Sequence, residues 1–301
     1  MNGRSVNRNT LAWNQFIWTV RRELWGNRFL VVVPTALTLL SLLLTCMGLS
    51  KASLHSLDNM DPADVFRGAT DAITHVAALS GMAVSCIYAL GTFYNERKDL
   101  SILFWKSMPV SDFMSVLAKA SIVLFAVPAL VLVLNWISVI TLSIAGRIDF
   151  GLTLAAPTSS QGVTVMMSNY ILYALINALW WFPVYGVLFV VSVLVRSIPA
   201  GWVLGVLAAL GIAEFFLLNT SRITSTVWDR LFDFPGHGSQ NRLFQGSYSH
   251  EKGWNIHQLT LQHSAPDTHN ALDLNGLLIG IVVGIVCLAL TIWLRRRAEP
   301  I

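Results

Sequence analysis

Six stretches of about 20 apolar residues, the length a helix needs to cross roughly 30 Å of hydrocarbon, recur along the chain between polar segments of unequal size. They cover 29–49, 73–93, 121–145, 169–195, 200–218 and 275–294. Runs this long predict helices, because a helix satisfies its own backbone hydrogen bonds in lipid. The expected fold is therefore all-α and integral to the membrane, a single transmembrane domain over 1–301 with six transmembrane helices. The second run differs from the others. It carries His75, Ser80, Ser85 and Tyr88, polar groups that fit a helix facing protein or a wet cavity better than one facing lipid.

Two polar stretches carry structure of their own. Before the first run, Trp13, Phe16, Ile17, Val20 and Leu24 fall at helical spacing opposite Asn14, Arg21 and Arg22. This predicts an amphipathic helix over 9–28 lying at the membrane interface. The first apolar run begins only at Phe29 and is long for the core of a signal peptide, so it reads as an uncleaved anchor. A long polar loop, 219–274, separates the fifth and sixth runs. Within it Val227, Trp228, Leu231 and Phe232 share one face of a short helix expected on or near the interface.

Composition agrees with this pattern. Of 301 residues 54% are hydrophobic and only 12% charged, about half the charged fraction of a soluble domain, and mean hydropathy is +0.61. The net charge of +4 does not point to nucleic acid, since the basic residues flank apolar runs. Counted by alternate segments, 13 Lys and Arg fall on the side of the two termini and 7 on the other. The positive-inside rule then puts both termini in the cytoplasm and the 219–274 loop outside. Cys46, Cys86 and Cys287 all lie in apolar runs and are expected to be free thiols. Five of the seven histidines, at 237, 250, 257, 263 and 269, sit in the long loop without metal-ligand spacing, so no metal site is expected.

The polar segment 94–112 is the most specific feature. Glu96, Arg97, Lys98 and Asp99 leave the membrane, and an apolar turn with Leu100, Leu103, Phe104 and Trp105 follows, then Lys106 and the helix breaker Pro109. Ser111 is placed to cap the next helix, with Asp112 favourable to its dipole. A short apolar and charged helix exposed to the cytoplasm suits docking in a partner's groove. In the run Glu96–Asp99, Ser101–Ser107 and Pro109–Asp112, and in the order of its spans and loops, the chain resembles the ABC-2 (type V) exporter permeases of bacteria. That resemblance implies a coupling helix at 99–107 seated on a nucleotide-binding subunit, and a connecting elbow at 21–28. It also implies two permease halves, as a homodimer or with a similar permease, working with two ABC ATPase subunits in the inner membrane. Spans 2 and 5 would line the route at the dimer axis.

No GxxxxGK[ST] loop occurs in the sequence, so ATP and Mg would be bound by the partner ATPase and this chain is expected not to be an enzyme. Glu214 is the one acid well inside an apolar run, a functional candidate because burying a carboxylate is costly. With Phe215, Phe216 and Tyr88 it is the candidate substrate route or gate. Gly276, Gly280 and Gly284 in span 6, and Gly201 and Gly205 in span 5, repeat the spacing that lets helices approach closely. Pro34, Pro128 and Pro183 are expected to kink their spans. The alternative to an exporter subunit moving an amphiphilic substrate outward is a non-transporting membrane scaffold or immunity component of the same fold.

Overall fold

The computed structural model describes residues 8–52, 62–99, 111–150, 163–195, 197, 199–214 and 274–297. Among them the chain is all-helical. Helix α1 (Arg8–Gly26) meets α2 (Phe29–Ala52) through a two-residue turn, and α3 (Pro62–Lys98) follows. Next come α4 (Asp112–Ser121), a π-helical turn (Ile122–Ala126) and α5 (Val127–Phe150), which form one continuous span. Helices α6 (Val163–Leu194), α7 (Pro199–Ala213) and α8 (Leu274–Arg297) complete the order. Five spans are long and apolar enough to cross a bilayer: 29–48, 68–98, 112–145, 170–194 and 276–297. The protein is thus multi-pass in the membrane. The fifth of the six expected spans is represented by α7, whose described part is apolar but shorter; the rest of it, and the whole 219–274 loop with its expected interfacial helix, lie outside the described residues.

Boundaries differ from the hydropathy runs where polar residues extend a helix beyond lipid. Helix α3 runs to Lys98, five residues past the apolar run ending at Phe93, and α4 begins at Asp112 rather than at Ser121. Both extensions are held by protein contacts that a hydropathy window does not see. At the other side of the joint, Asn27 closes α1 and opens α2. Its backbone N–H and side-chain Nδ2 both donate to the Glu23 carbonyl, at 3.0 and 2.9 Å, while its own carbonyl accepts from Leu30 N–H. Orphaned groups at two helix ends are satisfied by one residue.

Helix α3 is the hub of the bundle. It touches α2, α5, α6 and α7, and 56% of its spanning window is buried, against 22% for α2 and 17% for α8. The polar second span therefore faces protein, as its composition anticipates. Small residues allow the approach: Ala77, Ala78 and Ala89 are buried, and a Cβ on Gly81 would stand 2.6 Å from Val131 of α5.

The capping expected at Ser111 is present, with its Oγ accepting from Met114 N–H at 3.2 Å and Asp112 in the first turn of α4. Pro128 follows the π-helical turn by two residues. Val127 N–H reaches back five residues to the Ile122 carbonyl, so the ladder is already shifted where Pro128 has no N–H to give. Ile122 and Val123 of that turn are fully buried.

The two glycine ladders have different fates. A Cβ on Gly284 would stand 2.5–2.8 Å from the ring of Phe182, and one on Gly186 of α6 would stand 2.9 Å from Cys287 and 3.3 Å from the Gly284 carbonyl. This is close backbone packing of α8 on α6. Gly280 is buried in the same helix. Gly201 and Gly205, by contrast, have open space where a Cβ would stand, because α7 lies on the outside of the bundle with most of its residues exposed. Gly284→Ala is expected to destabilise the protein by about 1–3 kcal/mol by displacing a buried ring. Gly201→Ala and Gly205→Ala should leave stability unchanged or slightly raised. Denaturation in detergent by increasing dodecyl sulfate, followed by tryptophan emission, measures both.

Candidate functional site: a buried ion cluster at the root of the 100–110 segment

Four of the described helices bring polar side chains one helical turn apart to the basic end of the bundle. Helix α1 supplies Thr19 and Glu23, α3 supplies Tyr88, Thr92 and Glu96, α4 supplies Ser115 and Lys119, and α8 supplies Thr291 and Arg295. Spacing of four places each set on one helix face. The apolar faces of the same helices share one core around Leu30, Phe93, Val116, Ile122 and Phe189, which fixes where the polar stripes meet.

They meet on Lys119, whose side chain is 1% exposed. Its Nζ lies 3.0 Å from Glu23 Oε1 and 3.0 Å from Glu96 Oε1, and donates to Thr92 Oγ1 at 2.7 Å. An ammonium has three donors, and all three are used. Glu96 carries the chain of pairs onward, its Oε2 lying 3.2 Å from Arg295 Nη2. Arg295 Nη1 donates to Ser115 Oγ at 2.6 Å, and its Nε stands 3.3 Å from Asp112 Oδ1 as an ion pair rather than a hydrogen bond. On the other flank Glu23 Oε1 accepts from Arg22 Nη2 at 3.0 Å and Glu23 Oε2 accepts from the Tyr88 hydroxyl at 3.2 Å. The Phe93 ring floors the site, with Lys119 Nζ 5.4 Å and Arg295 Cζ 5.2 Å from its centroid.

In these ion pairs three carboxylates, Glu23, Glu96 and Asp112, face three cations, Arg22, Lys119 and Arg295. Removing one partner of such a pair is costly, since one unpaired charge left in such a site costs far more than the pair contributes. Beside it α3 is locked to α6. The Ser192 hydroxyl accepts from the backbone N–H of both Phe93 and Tyr94 at 3.1 Å, and Arg97 donates to the Val193 carbonyl. Burial alone would push the Glu23 carboxyl up. The Lys119 charge and hydrogen bond, helped by Arg22, outweigh it and hold Glu23 below its ordinary 4.5.

Among the residues singled out from sequence, Glu96 and Tyr88 are brought into this cluster, and Arg97 stands beside it. Tyr88, taken from sequence as a route residue, is 2% exposed with its hydroxyl on Glu23. Lys98 and Asp99 are exposed at the end of α3. Phe104, Trp105, Lys106 and Pro109 lie outside the described residues, as do Phe215 and Phe216. Glu214, directly after the end of α7, is 3% exposed and is not brought to the ion cluster. Gly276 lies near the start of α8. Glu23, Lys119, Arg295 and Asp112 as cluster members were not apparent from charge counting, which treats Lys119 and Arg295 only as topology signals. Among the described residues no three His, Cys, Asp or Glu side chains converge as metal ligands.

The geometry gives the cluster a definite mechanical property. Arg295 pairs with Glu96, just before the 100–110 segment, and with Asp112, just after it. The two roots of that segment are therefore held by one guanidinium, and through Glu96 and Lys119 they are tied to α1. Compared with protein-family models, curated proteins and solved structures, the chain finds no match.

Lys119→Ala leaves two buried carboxylates facing each other and is expected to cost about 3–5 kcal/mol. Because the folded-state value of Glu23 is lowered, its stabilising effect is complete above 4.5 and is lost as pH falls through that lowered value. Thermal unfolding in detergent between pH 7 and pH 3 should show Glu23→Gln less acid-sensitive than the wild type.

Proposed function

We propose that this chain is the membrane-spanning permease subunit of an ATP-driven ABC exporter, which moves an amphiphilic substrate outward on hydrolysis by a separate ATPase chain. The observation that carries the reading is the double rooting of the 100–110 segment on Arg295. In the ABC-2 permeases that the segment resembles, this is the part pressed by the nucleotide-binding subunit. A loop whose two ends share one buried ion cluster delivers a push to α3 and α4 together, and passes it to α1 through Glu23 and to α8 through Arg295. A loop hinged at independent ends would absorb the push instead.

On this reading the basic end of the bundle faces the cytoplasm of a bacterium, with both termini inside and the 219–274 loop outside the inner membrane. Lys98 and Asp99, exposed at the end of α3, join Phe104, Trp105, Lys106 and Pro109 in contacting the ATPase. Glu96 and Arg97 act from behind, on the bundle side. ATP and Mg belong to the partner, two copies of which serve a pair of permease halves. The open face of α7 at Gly201 and Gly205 leaves that helix free to approach a second permease, and buried Glu214 at its end stands with Phe215 and Phe216 for the route or gate.

Co-expression with an ABC ATPase of the same genome, tried pairwise, is expected to yield a detergent-stable complex whose ATPase rate rises on reconstitution into lipid. Phe104→Ala/Trp105→Ala should abolish co-purification while the permease alone keeps its unfolding midpoint. An unchanged complex and rate in that double variant would remove the 100–110 segment from coupling.

A further inference from the structure

The ion cluster uses only the inner face of α1. Thr19 and Glu23 are buried, while Trp13, Ile17, Trp18 and Trp25 on the outer face are 61, 44, 64 and 66% exposed. Indole rings in that number are not left to water without cause, and Trp favours the membrane interface. The surface is continuous with lipid-facing protein. One short turn after Gly26, α2 exposes Val31, Val32 and Leu37 on a helix apolar enough to span.

Two further details narrow what covers this face. A groove of about 250 Å³ runs along the helix, lined by Phe16, Ile17, Val20, Leu24 and Trp25, with Arg21 beside them. The Arg21 guanidinium is held against two indoles, 5.4 Å from the Trp18 ring centroid and 4.7 Å from that of Trp25. Stacking engages the flat faces of a guanidinium and leaves its N–H edges for an anion, a phosphate above all. The outward charge is of one sign: between residues 8 and 28 the single acid is Glu23, buried and paired with Lys119 and Arg22, whereas Arg21 and Arg28 are exposed.

We infer that the outer face of α1 binds an anionic phospholipid, with an acyl chain in the Phe16–Trp25 groove and the headgroup phosphate on Arg21. The groove supplies apolar contact for the chain, the two indoles orient the cation, and the absence of an outward acid among residues 8–28 admits net negative charge. A zwitterionic lipid meets the same groove, but its ammonium opposes Arg21 and Arg28. The preference is therefore electrostatic, and the groove explains why a chain is needed at all. Because α1 also holds Glu23, the bound lipid would sit on the helix that anchors one flank of the ion cluster.

The test is native mass spectrometry of the intact protein released from detergent with phosphatidylglycerol, phosphatidylcholine or free glycerol phosphate. Wild type should retain phosphatidylglycerol about fivefold more strongly than phosphatidylcholine, the scale of one basic side chain at an anionic surface, and should retain no glycerol phosphate. Arg21→Gln should bring the two lipids level, and Trp18→Leu/Trp25→Leu should narrow the gap, both with the unfolding midpoint unchanged because these side chains are exposed. Arg296→Gln, which removes an exposed charge from the end of α8, should leave the preference intact. Equal retention of the two lipids by wild type overturns the inference. So does a preference that survives Arg21→Gln or falls equally in Arg296→Gln, and so does glycerol phosphate bound as well as the lipid.

Discussion

A lysine ammonium that is almost wholly removed from solvent, held by two carboxylates and a hydroxyl, is the constraint on which the basic end of this bundle depends. Lys119, at 1% exposure, is paired with both Glu23 and Glu96, and a charge buried without such partners would be costly. Lys119 and those partners lie on three different helices. Burial of the charge therefore fixes α1 and α3 against α4, and Arg295 extends the requirement to α8. Lipid would permit any apolar helix to slide past another, since hydrocarbon is as good a neighbour as leucine. An ion cluster with every ammonium donor used does not permit it.

The remainder of the bundle is arranged around that fixed end. Helix α3 is the most buried span and is clamped twice near its end, by Glu96 to Lys119 and by the Ser192 hydroxyl on the Phe93 and Tyr94 amides. Away from the cluster, packing depends on small residues instead: Gly81 against Val131, and Gly284 against Phe182. Helix α7 shares neither device along its described length and stays on the outside. On the proposed reading this division has a use. The clamped end receives force from an ATPase through the 100–110 segment, and the loosely attached α7 faces the second permease half and the route.

Five of the six expected spans were legible in the sequence because a run of about 20 apolar residues has few structural alternatives. The Ser111 cap and the polar, protein-facing second span were legible for equally local reasons. The ion cluster was not: Glu96 and Tyr88 stood out in the sequence, but as coupling and route residues rather than as partners in one buried network. Averaging hydropathy over a window hides a single Lys119 among Val116, Leu117, Ala118 and Ala120, and charge counting assigns it to topology. The available signal was the four-residue spacing of Thr19 and Glu23, of Tyr88, Thr92 and Glu96, of Ser115 and Lys119, and of Thr291 and Arg295. Each is a polar stripe on a helix that reaches the basic end of the bundle. Their pairing depends on the tertiary fold, which local spacing does not specify.

The central claim is that these pairs act as one unit across the bundle. Glu23 on α1 and Arg295 on α8 are joined through Lys119 and Glu96. A double-mutant cycle of Glu23→Gln and Arg295→Gln, read as unfolding free energy in detergent, measures that connection directly. A coupling of about 0.5–3 kcal/mol is predicted for residues sharing one ion network. Additivity within about 0.3 kcal/mol would mean that the two ends behave as separate ion pairs, and would contradict the account.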